Sequence, residues 1–181
     1  MNQTDLEAFT SAIQSTWDQL PSAKATRYIG KFFDRSRIGK RITAKVHGNY
    51  GVYTVSIDAK KAALKPACSC YIGKGGICHH CDALAFTFLD DPESFKPIKE
   101  KALNRVRTVD DLESYLKGKT LDSLLQELKA QGITQKEFAE SIGMNPRHLS
   151  SIKSSELRNR YYNELGATKL ACLWMIEHFK K

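Results

Sequence analysis

The sequence contains no long uninterrupted apolar run and no signal-peptide pattern. A helix that spans a bilayer needs about 20 consecutive apolar residues, and a secreted chain carries a cleavable leader. We therefore expect no membrane partner and a cytoplasmic protein, nucleoid-associated if its source is bacterial. The chain has five cysteines, but thiols stay reduced in such a compartment, so we do not expect a disulfide framework.

The sequence also lacks a phosphate-binding loop and a carboxylate cluster that we can assign to a two-metal site. We therefore predict a binding protein that is not an enzyme. Hydrophobic residues make up 41% and charged residues 27% of the 181 residues, which is typical of a globular chain. This length is enough for two small domains but not for two large ones.

Positive charge is concentrated in one part of the chain, whose overall net charge is +8. Residues 27–75 contain eleven lysines and arginines against Asp34 and Asp58, a net charge of +9, so the remainder sums to −1. Such a patch is the usual electrostatic footprint of polyanion binding, although a basic face kept for solubility is the alternative. We predict nucleic-acid contacts from five of these cations: Arg35, Arg37, Lys40, Arg41 and Lys45.

Residues 68–81 hold a dense set of soft and borderline metal ligands: Cys68, Cys70, Cys78, His79, His80 and Cys81. Structural zinc takes four Cys or His ligands at about 2.0–2.3 Å. A Cys-x-Cys pair on an extended segment points both sulfur atoms to the same face, and the glycine-rich stretch that follows lets the chain fold back. We predict a structural Zn²⁺ on the three cysteines Cys68, Cys70 and Cys78, with the fourth ligand among their neighbours. Ordinary buried thiols and a Cys-His nucleophile are the alternatives.

The order Cys-x-Cys, seven residues, Cys-x-His resembles the SWIM-type zinc finger, over about residues 28–89. In that family a short β-hairpin precedes the first pair, and the second pair opens a helix. The flanks agree, because residues 41–47 and 53–57 alternate as strands around a turn and an apolar helix is predicted from Cys81. The resemblance implies His80 as the fourth ligand. It also implies nucleic-acid or protein binding, often in recombination, transposition or remodelling machinery, and no catalysis.

The rest of the first half predicts further elements by hydrophobic spacing. We expect a helix over about 5–18 with Thr4 and Glu7 as its capping box, a second helix over about 25–33, and a short third strand near 66–70. The predicted divisions are N-terminal helices in 1–33, the finger in 34–91, a linker in 92–108 with a helical stretch near 98–107, and a helical domain in 109–181.

Residues 134–153 carry a second motif. Thr134 and Glu137 form a capping box, Gly143 suits the left-handed residue of a tight turn, and Asn145 with Pro146 can start the next helix. This is the pattern of a helix-turn-helix, and it resembles the lambda-repressor-like class, here matched to about residues 120–179. A compact helical hairpin with no role in DNA binding is the alternative.

In such a motif the second helix lies in the major groove and reads bases with its N-terminal residues. The predicted contacts are Gln135, Asn145, Arg147, His148, Ser150 and Ser151. Arg147 is the strongest candidate for a guanine edge. Residues 119–181 carry a net charge of only +3, so we expect phosphate binding mainly from the finger.

These patterns predict an α+β fold: a small zinc-stapled β-hairpin/helix finger with preceding helices, plus a separate all-α helix-turn-helix domain. The predicted function is zinc-dependent DNA binding, in transcription regulation or as the targeting subunit of a mobile-element or recombination complex. Duplex DNA is the expected partner, with protein partners in a nucleoprotein complex and a homodimer as further candidates. The alternative is a protein–protein adaptor of a larger nucleoprotein assembly that contacts RNA through Tyr50, Tyr53 and Tyr71.

Overall fold

The computed structural model of the chain describes residues 3–59, 64–74, 77–98 and 105–178. The chain divides into two compact units, residues 1–99 and 100–181. The first unit is mixed α and β, and the described part of the second is helical. Among the helices of these ranges, none combines the length and the apolar character that crossing a bilayer would require.

The first unit contains a five-stranded sheet with the order β4-β3-β2-β1-β5. Its neighbouring strands are antiparallel, except for the parallel pair β1 and β5. In chain order its elements are α1 (Gln3–Thr16), α2 (Ala23–Thr26), β1 (Phe33–Ile38), β2 (Arg41–Gly48), β3 (Gly51–Asp58), β4 (Lys65–Cys68), α3 (His79–Asp90) and β5 (Lys96–Pro97). Two 3₁₀ turns, Ile72–Lys74 and Pro92–Ser94, flank α3.

The two faces of the sheet differ because side chains alternate along each strand. In β2, Ile42, Ala44 and Val46 are buried, whereas Lys45 and His47 on the other face are exposed. The apolar face joins α1 and α3 in one core, in which the rings of Phe9 and Phe88 lie 5.4 Å apart. The predicted hairpin, third strand and helix after the cysteines are therefore present, and the opposite face of the sheet keeps its cations.

The second unit consists of α4 (Val109–Gly118), α5 (Leu121–Ala130), α6 (Gln135–Ser141), α7 (Pro146–Leu157) and α8 (Leu165–His178). Threonine or asparagine side chains cap the first four of these helices, and the Thr134–Glu137 capping box is present. Gly143 adopts φ +70° in the turn between α6 and α7, a conformation that favours glycine.

The core of the second unit is mainly aliphatic, with Leu121, Leu124, Leu128, Leu149 and Ile152 almost fully buried. It also encloses a charged pair. Glu156 of α7 is 2.5 Å from the ammonium group of Lys169 of α8 and accepts a hydrogen bond from the first amide of α5 at 2.6 Å. The same ammonium group donates to the carbonyl oxygen of Leu116 at 3.0 Å. This buried ion pair therefore links the four helices α4, α5, α7 and α8.

The second predicted helix, residues 25–33, is wrong in extent. Helix α2 ends at Thr26, Gly30 follows with φ +75°, and Phe33 already belongs to β1. The apolar spacing arises because Ala25, in the short helix α2, and Phe32, just before β1, enter the same core from different elements rather than from one helix. Pairing of β1 with β2 supplies the backbone hydrogen bonds that a helix would otherwise have made.

The predicted linker 92–108 also differs from the structure at its start. Phe95 is fully buried, with its ring 5.2 Å from that of Phe88, and Lys96–Pro97 form β5. The parallel pairing of β5 with β1 joins residues about 60 positions apart, and such a contact leaves no local periodicity to read. Most of the helical stretch expected near 98–107 lies outside the described residues.

One predicted helix boundary is corrected as well. Helix α1 begins at Gln3, so Thr4 lies inside it rather than at its N-cap. Further along the chain, Gly166 lies in the first turn of α8, and the chain turns between Leu157 and Leu165.

Candidate metal centre

Strand β4 and the start of α3 bring the predicted ligands together. Cys68 ends β4, and the β3–β4 ladder continues one residue further, where the amide of Ser69 donates to the carbonyl oxygen of Thr54 at 3.0 Å and the amide of Thr54 donates to the hydroxyl of Ser69 at 3.0 Å. Since Ser69 faces this ladder, Cys68 and Cys70 on either side of it turn towards α3. Cys78 is the N-cap residue of α3, and its sulfur atom makes no capping hydrogen bond to the helix. It faces the other cysteines instead.

The ligand atoms of Cys68, Cys70, Cys78 and His80 all lie within 4.8 Å of one another, and all four residues are buried. The Nδ1 atom of His80 lies 3.8 Å from the sulfur atom of Cys68 and 3.7 Å from that of Cys78. Tetrahedral zinc with Zn–S bonds of about 2.3 Å places its ligand atoms about 3.6–3.8 Å apart. The two distances from His80 Nδ1 match this spacing, and all four ligand atoms, within 4.8 Å of one another, are close enough to hold one metal ion.

Backbone amides support the cysteine sulfur atoms. The amide of Gly73 donates to the Cys70 sulfur at 3.2 Å, and the amide of Cys70 donates to the Cys68 sulfur at 3.4 Å. A β-carbon on Gly73 would lie 2.5 Å from the carbonyl oxygen of Cys68, so the 3₁₀ turn can pack this closely only with glycine there. Such donors, together with the N-terminus of α3, stabilise thiolates, the form that binds metal.

The thiols of the cluster share protons unequally. Hydrogen bonds donated by Cys68 and Cys81 push the pKa of the Cys78 thiol far below its ordinary value. The same hydrogen bonds, together with burial, raise the pKa of Cys68 and of Cys81, and burial raises the pKa of Cys70. The packing alone therefore favours one thiolate, and a divalent cation would allow the other ligand thiols to ionise.

Three residues were open as the fourth ligand, and the structure places His80 in the group. Its ring is 3% exposed and lies between the rings of Tyr28 and Tyr53, at 4.7 and 5.0 Å. His79 is half-buried beside Tyr28. Its pKa is lowered, mainly by burial and secondly by the nearby His80. Cys81 is fully buried, with its sulfur atom 3.8 Å from that of Cys78, but it lies outside the group of four.

The residues present fit a metal ion on chemical grounds. Three sulfur atoms and one imidazole nitrogen are the donor set of structural zinc sites, and the Nε2 atom of His80 is buried without a hydrogen-bond partner among the described residues. An imidazole that turns Nδ1 towards the thiols of Cys68 and Cys78 while leaving Nε2 without a described partner is costly, unless a metal at Nδ1 offsets that cost. The Cys₃His cluster could hold a metal ion and is compatible with structural zinc.

The predicted phosphate-contacting cations occupy different surroundings. The guanidinium group of Arg35 donates to Phe32, Gly30 and Ser94 at 2.8–2.9 Å, so it serves to hold the fold. The side chain of Arg37 is only 13% exposed, 3.7 Å from Glu93. Arg41 is half-buried, whereas Lys40 and Lys45 are exposed, with Lys45 2.9 Å from Asp34. The two lysines are the accessible members of this set.

The predicted base-reading residues gather around the start of α7. The side chain of Asn145 accepts the amide of Arg147 at 2.8 Å, which leaves the Arg147 side chain exposed in the first turn. Gln135 of α6 donates to the hydroxyl of Ser150 at 2.7 Å and accepts from Lys153 at 2.9 Å.

His148 and Ser151 complete this set. His148 lies edge-to-face with Tyr162 at 5.5 Å, and the exposed Ser151 bonds the carbonyl oxygen of Arg147 at 3.1 Å. All six predicted residues therefore belong to the start of α6 or to the first two turns of α7 and its cap.

Comparison with known proteins returns no match: no protein-family model, no curated protein and no solved structure is similar to this chain.

Sequence reasoning missed two residues of the metal centre and one pair elsewhere. Gly73 enters the sequence prediction only as part of the glycine-rich stretch, although its position three residues after Cys70 suits an amide donor to that sulfur. The sequence prediction treats Cys81 only as a candidate metal ligand, although Cys78 and Cys81 have the Cys-x-x-Cys spacing. The Glu156–Lys169 pair carries no local signal, because its members lie on different helices.

Proposed function

We propose that this chain is a non-enzymatic, zinc-dependent DNA-binding protein in which the first unit holds a structural zinc ion and contacts phosphates, while the second unit reads sequence. The observation that carries the proposal is the buried cluster of Cys68, Cys70, Cys78 and His80, whose ligand atoms all lie within 4.8 Å of one another. Four protein ligands leave no open position on the metal, which is the arrangement of a structural rather than a catalytic site.

The cationic face of the sheet supports the phosphate-binding part of the proposal. Along β2, Arg41, Lys45 and His47 alternate with buried residues and so share the face that the core does not cover. Lys40 extends this face at the turn that precedes β2. Cations on one surface neutralise successive phosphates and give affinity without sequence preference.

The surface at the start of α7 supports the sequence-reading part. A helix-turn-helix inserts the N-terminal part of its second helix into the major groove, and Arg147 is exposed there, with no ion pair among the described residues. Gln135 and Ser150, joined by their hydrogen bond, lie beside it at the junction of α6 and α7. An arginine at this position can form a bidentate pair with a guanine edge.

In the cell, such a protein would act in transcription regulation or target a mobile-element or recombination complex to its site. A second candidate function, a protein–protein adaptor in a nucleoprotein assembly, is favoured by exposed apolar side chains. Tyr50 is 92%, Tyr71 80% and Ile72 60% exposed in the first unit, and Trp174 is 57% exposed in the second. Tyr53 does not belong to this set, because it packs beside His80.

The deciding experiment is selection of duplex DNA, single-stranded DNA and RNA pools by the purified protein, followed by titration of the selected and of random sequences at several salt concentrations. We expect a saturable preference for one duplex sequence. In the Arg147→Ala variant, affinity for that sequence should fall by about 1–3 kcal/mol, or roughly 5- to 150-fold, and affinity for random duplex should fall much less.

Truncation of Leu149, a buried residue two positions further along α7, provides the matched control, because it should unfold the second unit instead of changing specificity. Equal losses on selected and random DNA would reduce Arg147 to a phosphate contact. An absence of any nucleic-acid preference, together with stable protein complexes, would replace the DNA-binding proposal with the adaptor.

A further inference from the structure

Cys78 and Cys81 form a close pair of thiols. Of the two, only Cys78 belongs to the group of four candidate metal ligands. Their sulfur atoms are 3.8 Å apart, and the amide of Cys81 donates to the carbonyl oxygen of Cys78 at 2.9 Å in the first turn of α3. A disulfide bond is about 2.05 Å long, so the two sulfur atoms need to approach by about 2 Å. Two residues between the cysteines at the start of a helix is the spacing of redox-active Cys-x-x-Cys pairs.

A cavity has the first of these two cysteines in its lining. It has a volume of about 510 Å³ and is lined by residues that include Trp17, Leu20, Ile77, Cys78 and His79. Among the cysteines that the structure describes, Cys78 is the one in this lining, whereas Cys81 is fully buried behind it. A small solute can thus approach Cys78. The sulfur atom of Cys81 lies 3.8 Å from that of Cys78 but is protected from solvent.

We propose that Cys78 and Cys81 are a redox pair that small peroxides oxidise to a disulfide, with release of the metal. The inference rests on the metal centre of the proposed function. The Cys78 thiolate attacks one peroxide oxygen atom, the O–O bond breaks, and a sulfenic acid forms while the other oxygen leaves as hydroxide and takes up a proton. The Cys81 thiol then attacks the sulfenic sulfur atom, the S–S bond forms, and water leaves. One peroxide accepts two electrons from the two thiols and gives two water molecules.

Loss of the metal follows from the loss of a ligand. Once Cys78 is part of a disulfide it is no longer an anionic donor, and Cys68, Cys70 and His80 remain as three protein ligands. Cys81 is well suited to this role because it is outside the ligand group, so its thiol is not held by the metal when Cys78 is oxidised. Thiol reductants would reverse the step and allow zinc to rebind.

The test uses the zinc-loaded full-length chain and hydrogen peroxide, with released zinc followed by a chromogenic chelator. The products are digested with trypsin, which cuts after Lys61 and Lys74 but not between Lys and Pro. Residues 62–74, with Cys68 and Cys70, and residues 75–99, with Cys78 and Cys81, are then separate peptides. We expect zinc release together with a mass loss of about 2 Da in peptide 75–99, the two hydrogen atoms of an internal disulfide, reversed by dithiothreitol.

The matched variants are Cys81→Ala and Cys81→Ser, which should bind zinc at the start and release it about tenfold more slowly in peroxide. Cys172→Ala, a buried cysteine of the second unit, should behave as the unmodified chain. Equal release rates with and without Cys81, or a disulfide that joins the two peptides, would overturn the inference. A chain that never held zinc would refute the metal centre, while the mass of peptide 75–99 would still decide whether the pair forms.

Discussion

The two units of this chain each lock elements that are distant in sequence with one buried polar cluster, but they use different chemistry. In the first unit, three thiols and an imidazole tie the end of β4 to the start of α3. In the second, the Glu156–Lys169 pair ties α7 and α8 to the ends of α4 and α5. If the first cluster holds zinc as proposed, it depends on a cation from solution, whereas the second is complete within the chain.

This difference predicts separate responses to the same treatment. The core of the first unit includes four cysteines among its buried residues, while that of the second is built largely from leucines. A metal contributes its binding free energy to the folding of the unit that holds it, and a leucine core needs no such contribution. Each unit also contains one of the two tryptophans, Trp17 or Trp174, so the two can be followed separately.

The largest effect should come from removing the metal. A strong chelator, or Cys68→Ser, should unfold the first unit, because structural zinc supplies on the order of 10–16 kcal/mol, about as much as the whole stability of a domain. The measurement is tryptophan fluorescence in Trp174→Phe, in which Trp17 reports on the first unit. In Trp17→Phe the signal of Trp174 should stay unchanged. A metal-depleted protein with a native Trp17 signal would contradict the prediction.

The second effect concerns the charged lock of the other unit. Glu156→Gln keeps the acceptor for the α5 amide but leaves the buried ammonium group of Lys169 without its counter-ion, which should lower the free energy of unfolding by about 3–5 kcal/mol. Urea unfolding followed at Trp174 measures it, and the zinc content should not change.

The control for Glu156→Gln makes the same substitution in a solvent-exposed ion pair. Glu140 lies 3.8 Å from Lys136, with both side chains more than half exposed, so Glu140→Gln should cost at most about 0.5 kcal/mol. Equal losses of unfolding free energy in Glu156→Gln and Glu140→Gln would show that burial does not make the Glu156–Lys169 pair more important than the exposed one.

The third effect is at the turn that supports Cys70. In Gly73→Ala the new methyl group meets the Cys68 carbonyl oxygen at 2.5 Å, which should displace the turn and weaken zinc binding by about 2 kcal/mol, roughly thirtyfold. Competition with a chelator of known affinity measures the loss. Gly166→Ala in α8 meets nothing within 4 Å and should leave zinc affinity unchanged. If Gly73→Ala binds zinc as tightly as the unmodified chain, the contact with the Cys68 carbonyl oxygen does not limit the turn, and the prediction is wrong.

The smallest effect separates the two units in nucleic-acid binding. Lys45→Glu on the sheet should weaken binding to selected and random DNA alike, by about 1 kcal/mol, and reduce the salt dependence, because phosphate contacts carry no base information. Lys129→Glu, an exposed lysine at the end of α5, makes the same charge change in the other unit and should matter less. A loss confined to the selected sequence would place Lys45 at a base instead.

Local patterns were sufficient for most elements and for the metal cluster. The β2–β3 hairpin follows from alternation around a short turn, and the caps Thr120, Thr134 and Asn145 follow from side-chain chemistry that acts within three residues. Four ligands within thirteen residues limit where a metal can bind, since few conformations of such a short segment bring them together in another way. The DNA contacts and the zinc identity remain predictions of the same kind.

What the sequence determined by itself was thus the local part: alternating strands, capped helices, and a Cys₃His set whose spacing suits one metal. Tertiary structure decided everything that joins distant segments. Phe33 lies in a strand and Phe95 in the core because of contacts with distant segments. Arg35 holds Phe32, Gly30 and Ser94 together by hydrogen bonds. The fold also brings His80, rather than His79 or Cys81, into the group of four candidate ligands. The physical reason is that burial and pairing partners come from far along the chain, so no short window of sequence contains them.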